Sequence, residues 1–308
     1  DFETIFYYLH KNYSISSHPE ITLEANPDDL TPDYIAMLRT LPFNRLSMGI
    51  QTFNESILKV LQRRHTARQA IEAFQNCRAA GFQNISIDLM YGLPGETLST
   101  WQQDLDQALL LHPEHLSAYH LIYEEDTVLW KLREQHKVEE ADEDLSVSLF
   151  STLIDRLTSE GYDHYEISNF SLPGLYSRHN SSYWTEKKYL GCGPSAHSYN
   201  GVSRQWNVAS LDTYIKGISA GTPVFEIEEL DLYTRYNDFV ITRIRTEWGM
   251  PLSKLRDEFG EKLYDYCLRM AAPHLKQGTL ELVNDILKLT RKGIFISDGI
   301  MSDMLWTD

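Results

Sequence analysis

What the chain has little of narrows its function first. Thiols are scarce: the 308 residues hold three cysteines, Cys77, Cys192 and Cys267, far apart and never spaced Cys-x-x-Cys. That excludes a disulfide framework and a paired-thiolate metal site, and it points to a reducing compartment, the cytoplasm. Long apolar runs are also missing, so no stretch has the length of a membrane-spanning helix or the pattern of a secretory leader. Basic residues are outnumbered, 28 Lys and Arg against 44 Asp and Glu, for a formal charge of −16. A nucleic-acid backbone would be repelled by that charge rather than neutralised. Nor is there a low-complexity tract or a short-period repeat. Hydrophobic content of 42% with 12% aromatics is that of a globular protein long enough for a large core.

What is present in the first half is an alternation of strand and helix signals. Ile21 to Leu23 is a short β-branched run closed by Glu24-Ala25-Asn26-Pro27, and Thr31-Pro32 supplies an N-cap and an N1 proline for a helix ending near Leu41. Arg45 to Ile50 predicts the next strand and Ile85 to Met90 a third, followed by the turn Gly92-Leu93-Pro94-Gly95 and a helix capped by Thr97. Leu116 to Ile122 predicts a fourth. Repeated βα units with short connections imply a parallel sheet under helices, either barrel or doubly wound. Ligands bind such sheets at the carboxyl ends of the strands, and Glu24, Gln51 and Asp88 stand there, with Arg63 following the second strand. Carboxylates and an amide suit hydroxyls and an ammonium group, while the arginine fork suits a carboxylate.

In the second half, Asp142 to Leu157 predicts a helix stopped by Gly161, and Tyr162 to Ser168 a strand. Arg178 to Tyr199 is expected as a long loop that places His179, Tyr183, Trp184 and His197 around the turn Gly191-Cys192-Gly193-Pro194. An imidazole beside aromatic surface is what an iron porphyrin needs, and equally what a packed core uses. His197 offers a second ligand, but the favoured reading is that the turn Gly193-Pro194-Ser195-Ala196 fixes the loop against the sheet; Arg204 is open between a propionate contact and a surface ion pair. A helix from Leu211 to Ile218 precedes a linker near Gly221 to Leu230. From Asp231 the order is helix, short helix, helix, then small strands at Thr279 to Val283, Ile286 to Leu289 and Gly293 to Ile296, which is winged-helix-like. With 11 Lys or Arg against 12 Asp or Glu after residue 230, this module has no basic face for DNA.

Four segments together carry a resemblance: Leu23-Glu24-Ala25-Asn26-Pro27, Ser47-Met48-Gly49-Ile50-Gln51-Thr52-Phe53, Leu61-Gln62-Arg63-Arg64-His65, and Ile87-Asp88-Leu89-Met90-Tyr91-Gly92-Leu93-Pro94-Gly95. They resemble the radical S-adenosylmethionine proteins related to oxygen-independent coproporphyrinogen III oxidase. His179-Asn180-x-x-Tyr183-Trp184 resembles the signature of the HemW-type heme chaperones within that superfamily. The resemblance implies an incomplete parallel (β/α) radical-SAM-type barrel over residues 1–224 and a small, mostly helical winged-helix-like domain over 225–308. It implies S-adenosylmethionine held by Glu24, Gln51, Arg63 and Asp88, and heme contacted by His179 through its iron. Heme and heme-accepting proteins would be the partners, with a homodimer as one option for the exposed strand edge. Family members carry a three-cysteine [4Fe-4S] motif and a glycine-rich strand end before the position equivalent to residue 1. This chain is therefore expected to lack the cluster ligands, and no radical chemistry is expected from it. A heme chaperone is the leading function; the alternative is oxidative decarboxylation of coproporphyrinogen III, which leaves enzyme status open.

Overall fold

The computed structural model describes residues 1–307. Contacts divide the chain into two compact units, residues 1–177 and 178–308.

The first unit runs α1 (Phe2–Asn12), β1 (Thr22–Ala25), α2 (Pro32–Leu38), β2 (Arg45–Gln51), α3 (Glu55–Val60), α4 (Ala67–Ala79), β3 (Ile85–Tyr91), α5 (Leu98–Leu111), β4 (His115–His120), α6 (Val128–Glu134), α7 (Glu143–Ser159), β5 (Asp163–Glu166) and β6 (Asn169–Ser171). The sheet order is β1-β2-β3-β4-β6-β5, with β1 to β4 parallel and β6 antiparallel to β4. This is an open sheet of barrel-type βα units, as an incomplete barrel requires. Local chemistry sets the helix starts. Thr31, Asn54, Thr66, Thr97 and Asp142 each accept a backbone N–H in the first turn that follows, and Thr66 forms a reciprocal capping box with Gln69.

The strands alternate sharply between two faces. Leu46, Met48 and Ile50, Ile85, Ile87 and Leu89, and Leu116 and Ala118 form one face, each at most 1% exposed. The register aligns the other face as Ser47–Ser86–His115 and Gly49–Asp88–Ser117 across β2, β3 and β4. That second face is polar, yet Ser86 and His115 are fully buried and Arg45 and Ser117 nearly so. Parallel sheets covered on both sides are usually apolar on both. A buried polar face must instead satisfy its own groups: Ser86 Oγ bonds His115 Nδ1 at 2.7 Å, and His115 Nε2 bonds the Tyr165 hydroxyl at 2.7 Å.

The second unit runs α8 (Arg178–Trp184), β7 (His197–Tyr199), β8 (Ser203–Asn207), α9 (Leu211–Ser219), β9 (Phe225–Glu229), α10 (Leu232–Ile244), β10 (Met250–Pro251), α11 (Leu252–Gln277), β11 (Leu280–Val283), β12 (Ile286–Leu289), α12 (Arg291–Ile294) and α13 (Ser297–Met304). Strands β7-β8-β9 form one antiparallel sheet and β10-β12-β11 another. Gly260, at φ 79° and ψ 171°, breaks α11 into the expected short and long helices. Asn284 and Asp285, both at positive φ, make the tight β11–β12 turn.

Three expectations are corrected. Residues 178–199 are not one loop: α8 forms because Ser182 and Thr185 hydroxyls return to the carbonyls of Arg178 and Ser181 and His179 meets Tyr183 one turn on. The linker near 221–230 contains β9, whose Phe-Glu-Ile-Glu-Glu alternation pairs fully with β8. Gly293 to Ile296 is not a strand, because Thr290 caps a helical turn there. The boundary expected at 224/225 falls at the start of β9, while the contact division lies at 177/178.

Candidate functional site

The polar groups named from sequence meet at the carboxyl ends of β1 to β3. Gln51 ends β2 at φ 72° beside a register shift against β3, so its side chain turns back over the strand. Arg63, delivered by the turn after α3, donates from one terminal nitrogen to Asn26 Oδ1 and to the Gly49 carbonyl, both at 2.8 Å. A Cβ at Gly49 would lie 3.0 Å from Gln51 Nε2 and 3.4 Å from that Arg63 nitrogen, so glycine there lets the two side chains close over the strand. Arg63 Nε is buried and has no partner. Behind this turn, Asp104 of α5 accepts from Thr52 Oγ1 at 2.5 Å and from the Phe53 N–H at 2.9 Å, pinning the exit of β2. Burial raises the Asp104 carboxyl despite both bonds.

Asp88 lies beside Gly49 in register, half-buried, with Ser47 Oγ donating at 3.5 Å. Its pKa is pushed up to about 6, mainly by burial and further by the Glu24 carboxylate, against the bonds from Ser117 and Ser47 and the charge of Arg45. Glu24 itself is exposed on β1. Unpartnered polar atoms continue along the same sheet face: Thr22 Oγ1, Arg45 Nε, Asn169 Oδ1 and Ser171 Oγ. Below the end of β3, Glu96 accepts from the Gly92 and Leu93 N–H groups, and burial lifts it to about 7. His120 is turned against Gly92, where a Cβ would come within 2.6 Å of its Nε2, while its strand neighbour Tyr119 is 43% exposed.

These groups fit S-adenosylmethionine. Asp88 and Glu24 offer acceptors to an ammonium or to ribose hydroxyls, and the buried orphan donor of Arg63 suits a carboxylate. A [4Fe-4S] cluster finds no such match among the described residues. Cys77 is buried in α4 and raised to about 12, Cys267 is buried in α11 and raised to about 11, Cys192 is exposed, and among the described residues no group of three or more His, Cys, Asp or Glu side chains could hold a metal ion.

In the second unit His179 is exposed on α8, and its Nε2 bonds the Tyr183 hydroxyl at 3.0 Å. An aromatic run starts here. Ring centroids follow at 5.1 Å from His179 to Tyr183, 4.8 Å to Tyr189 and 6.1 Å to Tyr199. Tyr183 and Trp184, rather than His179, line a cavity of about 180 Å³ together with Tyr189, Tyr199, Arg204 and Arg235. Glu186 at its edge receives Arg243 at 2.9 Å and Lys254 at 2.7 Å; burial opposes its ionisation, but the two cations outweigh burial and hold its pKa below the usual range. Arg204 pairs with Asp238 at 3.3 Å and Glu228 at 3.4 Å, which is the ion-pair alternative.

Sequence reasoning missed Asn26, Arg45, Ser47, Ser117 and Asp104. Asn26 was visible as part of the Glu24 to Pro27 turn. The others needed the register, since only alternation on adjacent strands puts Ser47 and Ser117 on either side of Asp88.

Comparison with known proteins agrees with both halves of this description. Residues 1–108 match the radical SAM superfamily model and residues 230–296 the HemN C-terminal domain model. The heme chaperone HemW of Bacillus subtilis is 30% identical over 93% of this chain and 76% of its own length. HemW of Lactococcus lactis is 32% identical over 94% and 76%. Among solved structures, the coproporphyrinogen III oxidase HemN of Escherichia coli superposes with a TM-score of 0.82 over 98% of this chain and 73% of that one, at 22% identity, a likeness of fold. With that agreement running from the first strand to the last helix, the chain belongs to the HemW family of the radical SAM superfamily.

Proposed function

We propose that the protein is a heme chaperone, which binds heme and passes it to a heme-requiring acceptor protein on a radical-SAM scaffold. The observation that carries this reading is the similarity, over 93–94% of this chain and 76% of their own length, to proteins named heme chaperone HemW, combined with an exposed imidazole at the head of an aromatic run. His179 is the heme-contacting residue in this reading, with Tyr183 and Tyr189 as the surface against which the macrocycle rests. S-adenosylmethionine is bound at the β1 to β3 edge, with Arg63 on its carboxylate, Asp88 and Glu24 on its ammonium or ribose, and Gln51 closing over it. The sulfonium cofactor supplies a positive charge and, with a reduced cluster, a source of radicals. This chain's part is to bind and orient it.

A titration with hemin followed by absorbance tests the heme assignment. The expected result is a saturable Soret change that His179→Ala weakens by about tenfold or more. Equal saturation and an equal Soret position in both proteins would remove His179 from the site.

A further inference from the structure

One charged group facing the cavity beside Tyr183 is left without a counter-charge. Glu186 takes Arg243 at 2.9 Å and Lys254 at 2.7 Å, while Asp238 takes Arg204 at 3.3 Å and Glu228 engages that same arginine at 3.4 Å. Arg235, half-buried on α10, makes no ion pair and no side-chain hydrogen bond among the described residues; its guanidinium carbon stands 5.9 Å from the Phe259 ring centre. The helix puts Arg235, Asp238 and Thr242 at i, i+3 and i+7, one stripe on the cavity side, and sends Tyr236, Phe239 and Val240 into the core. Burial raises the Tyr199 phenol, the charges of Glu186 and Asp238 raise it further, and Arg235 and Arg204 oppose them, which places both cations at this aromatic wall.

Size and chemistry then limit the occupant. The cavity holds about 180 Å³, whereas pockets that enclose a whole drug-sized ligand begin at about 300 Å³. A porphyrin macrocycle therefore stays outside, while a carboxylate arm from its edge fits. The rings of Tyr183, Trp184, Tyr189 and Tyr199 make the walls mostly apolar, and a planar guanidinium with its donors uncommitted meets a carboxylate in a two-point contact. Arg204 has less to offer, because Asp238 and Glu228 already engage its fork. Tyr183 belongs to both places: its ring forms part of the cavity wall and its hydroxyl bonds His179 Nε2 at 3.0 Å.

We propose that Arg235 is the propionate anchor of the heme site: one carboxylate arm of a single heme, ligated at His179 and resting on Tyr183, enters this cavity and pairs with the Arg235 guanidinium. The anchor rests on the chaperone reading and narrows the ligand class within it, to a porphyrin with free carboxylate arms rather than any flat apolar ring. It also divides the labour of the site. The imidazole selects for iron, the tyrosines for a flat ring, and Arg235 for the charged edge that fixes how the ring is turned. Glu186 and Asp238 do not repel the arm with full charge, since cations already sit on both.

The test is a titration of the whole chain with hemin and, separately, with hemin dimethyl ester, whose propionates are capped and uncharged, followed by Soret absorbance. It is run at about 0.15 M salt, where the overall negative charge of the chain is largely screened. The wild type is expected to hold hemin about tenfold or more tighter than the ester. Arg235→Gln should weaken hemin by about the same factor, leave the ester unaffected and keep the Soret position, because the iron ligand is untouched. Arg235→Lys, which restores the charge without the fork, should recover part of the loss. Equal affinity of the wild type for hemin and ester would overturn the anchor, with no variant needed, and leave heme binding at His179 standing. An Arg235→Gln protein that loses hemin and ester alike would overturn it too, since the arginine would then act only through the shape of the unit, as would one that loses neither. Failure of the wild type to bind either porphyrin would end the chaperone reading and the anchor together.

Discussion

At the scale of the residue, Asp88 carries the sharpest consequence. Its carboxyl titrates near 6 in the folded chain, because burial and the Glu24 charge outweigh the bonds from Ser117 and Ser47, against an ordinary value near 3.8. A raised carboxylate pKa means the folded state holds the proton longer than the unfolded state. Stability contributed by this group is therefore greatest below pH 4, declines as pH rises from about 4 to 6, and is flat above, with an upper bound of about 3 kcal/mol lost. Asp88→Asn should flatten that segment of the stability curve in chemical denaturation across pH 4 to 8, and an unchanged slope would show that Asp88 ionises freely. Binding of a cation inverts the sign. If Asp88 faces the ammonium or sulfonium of S-adenosylmethionine, affinity should climb between pH 5 and 7 in the wild type and stay level in Asp88→Asn, as read by calorimetry. Residue types at this site were legible in the sequence, because carboxylate, amide and arginine at successive strand ends suit a polar zwitterion. Their electrostatics were not: whether Asp88 is buried depends on Ser47 and Ser117, which become its neighbours only through strand register.

At the scale of the element, parallel strands and capped helices were legible because each signal is local. Thr31, Thr97 and Asp142 cap the helices that their sequence positions predict, and Gly260 divides two helices at the expected place. What sequence concealed was set by distant partners. Phe225 to Glu229 resembles a charged linker until it pairs with β8, and Arg178 to Trp184 has a loop's composition until side-chain hydroxyls close its turns. The turn after β2 shows the same dependence. Thr52 and Phe53 are held by Asp104, fifty residues away on α5, and this clamp follows directly on the left-handed Gln51, whose amide lies with the Arg63 guanidinium over Gly49. Asp104→Ala removes two charge-assisted bonds and leaves a buried hydroxyl and N–H unmatched. The expected cost is about 2–4 kcal/mol by urea denaturation, discounted by the desolvation that Asp104 itself no longer suffers. A loss below about 0.5 kcal/mol, within the range of ordinary surface substitutions, would mean that water replaces the clamp and that the Gln51 turn is held by its bulge alone.

At the scale of the whole molecule, charge governs the encounter with cargo. The chain carries a formal −16, with 44 acidic against 28 basic residues, and heme carries two propionates that are ionised near neutrality. Approach is therefore between like charges, and mobile ions that screen the repulsion should speed it, with a screening length of about 30 Å at 0.01 M salt and about 8 Å at 0.15 M. Local groups act in the other direction. Arg204 and Arg235 line the cavity beside Tyr183 and Tyr199, but Arg204 is paired with Asp238 and Glu228, so much of its field is already spent inside the unit. The global term should win at long range. Stopped-flow association of hemin is expected to accelerate several-fold between about 0.01 M and 0.15 M salt, while dissociation, which depends on the imidazole bond and ring stacking, stays nearly constant. A rate that falls with salt would instead mean that the arginine pair dominates the field a propionate meets, making Arg235→Ala, not ionic strength, the variable that controls loading.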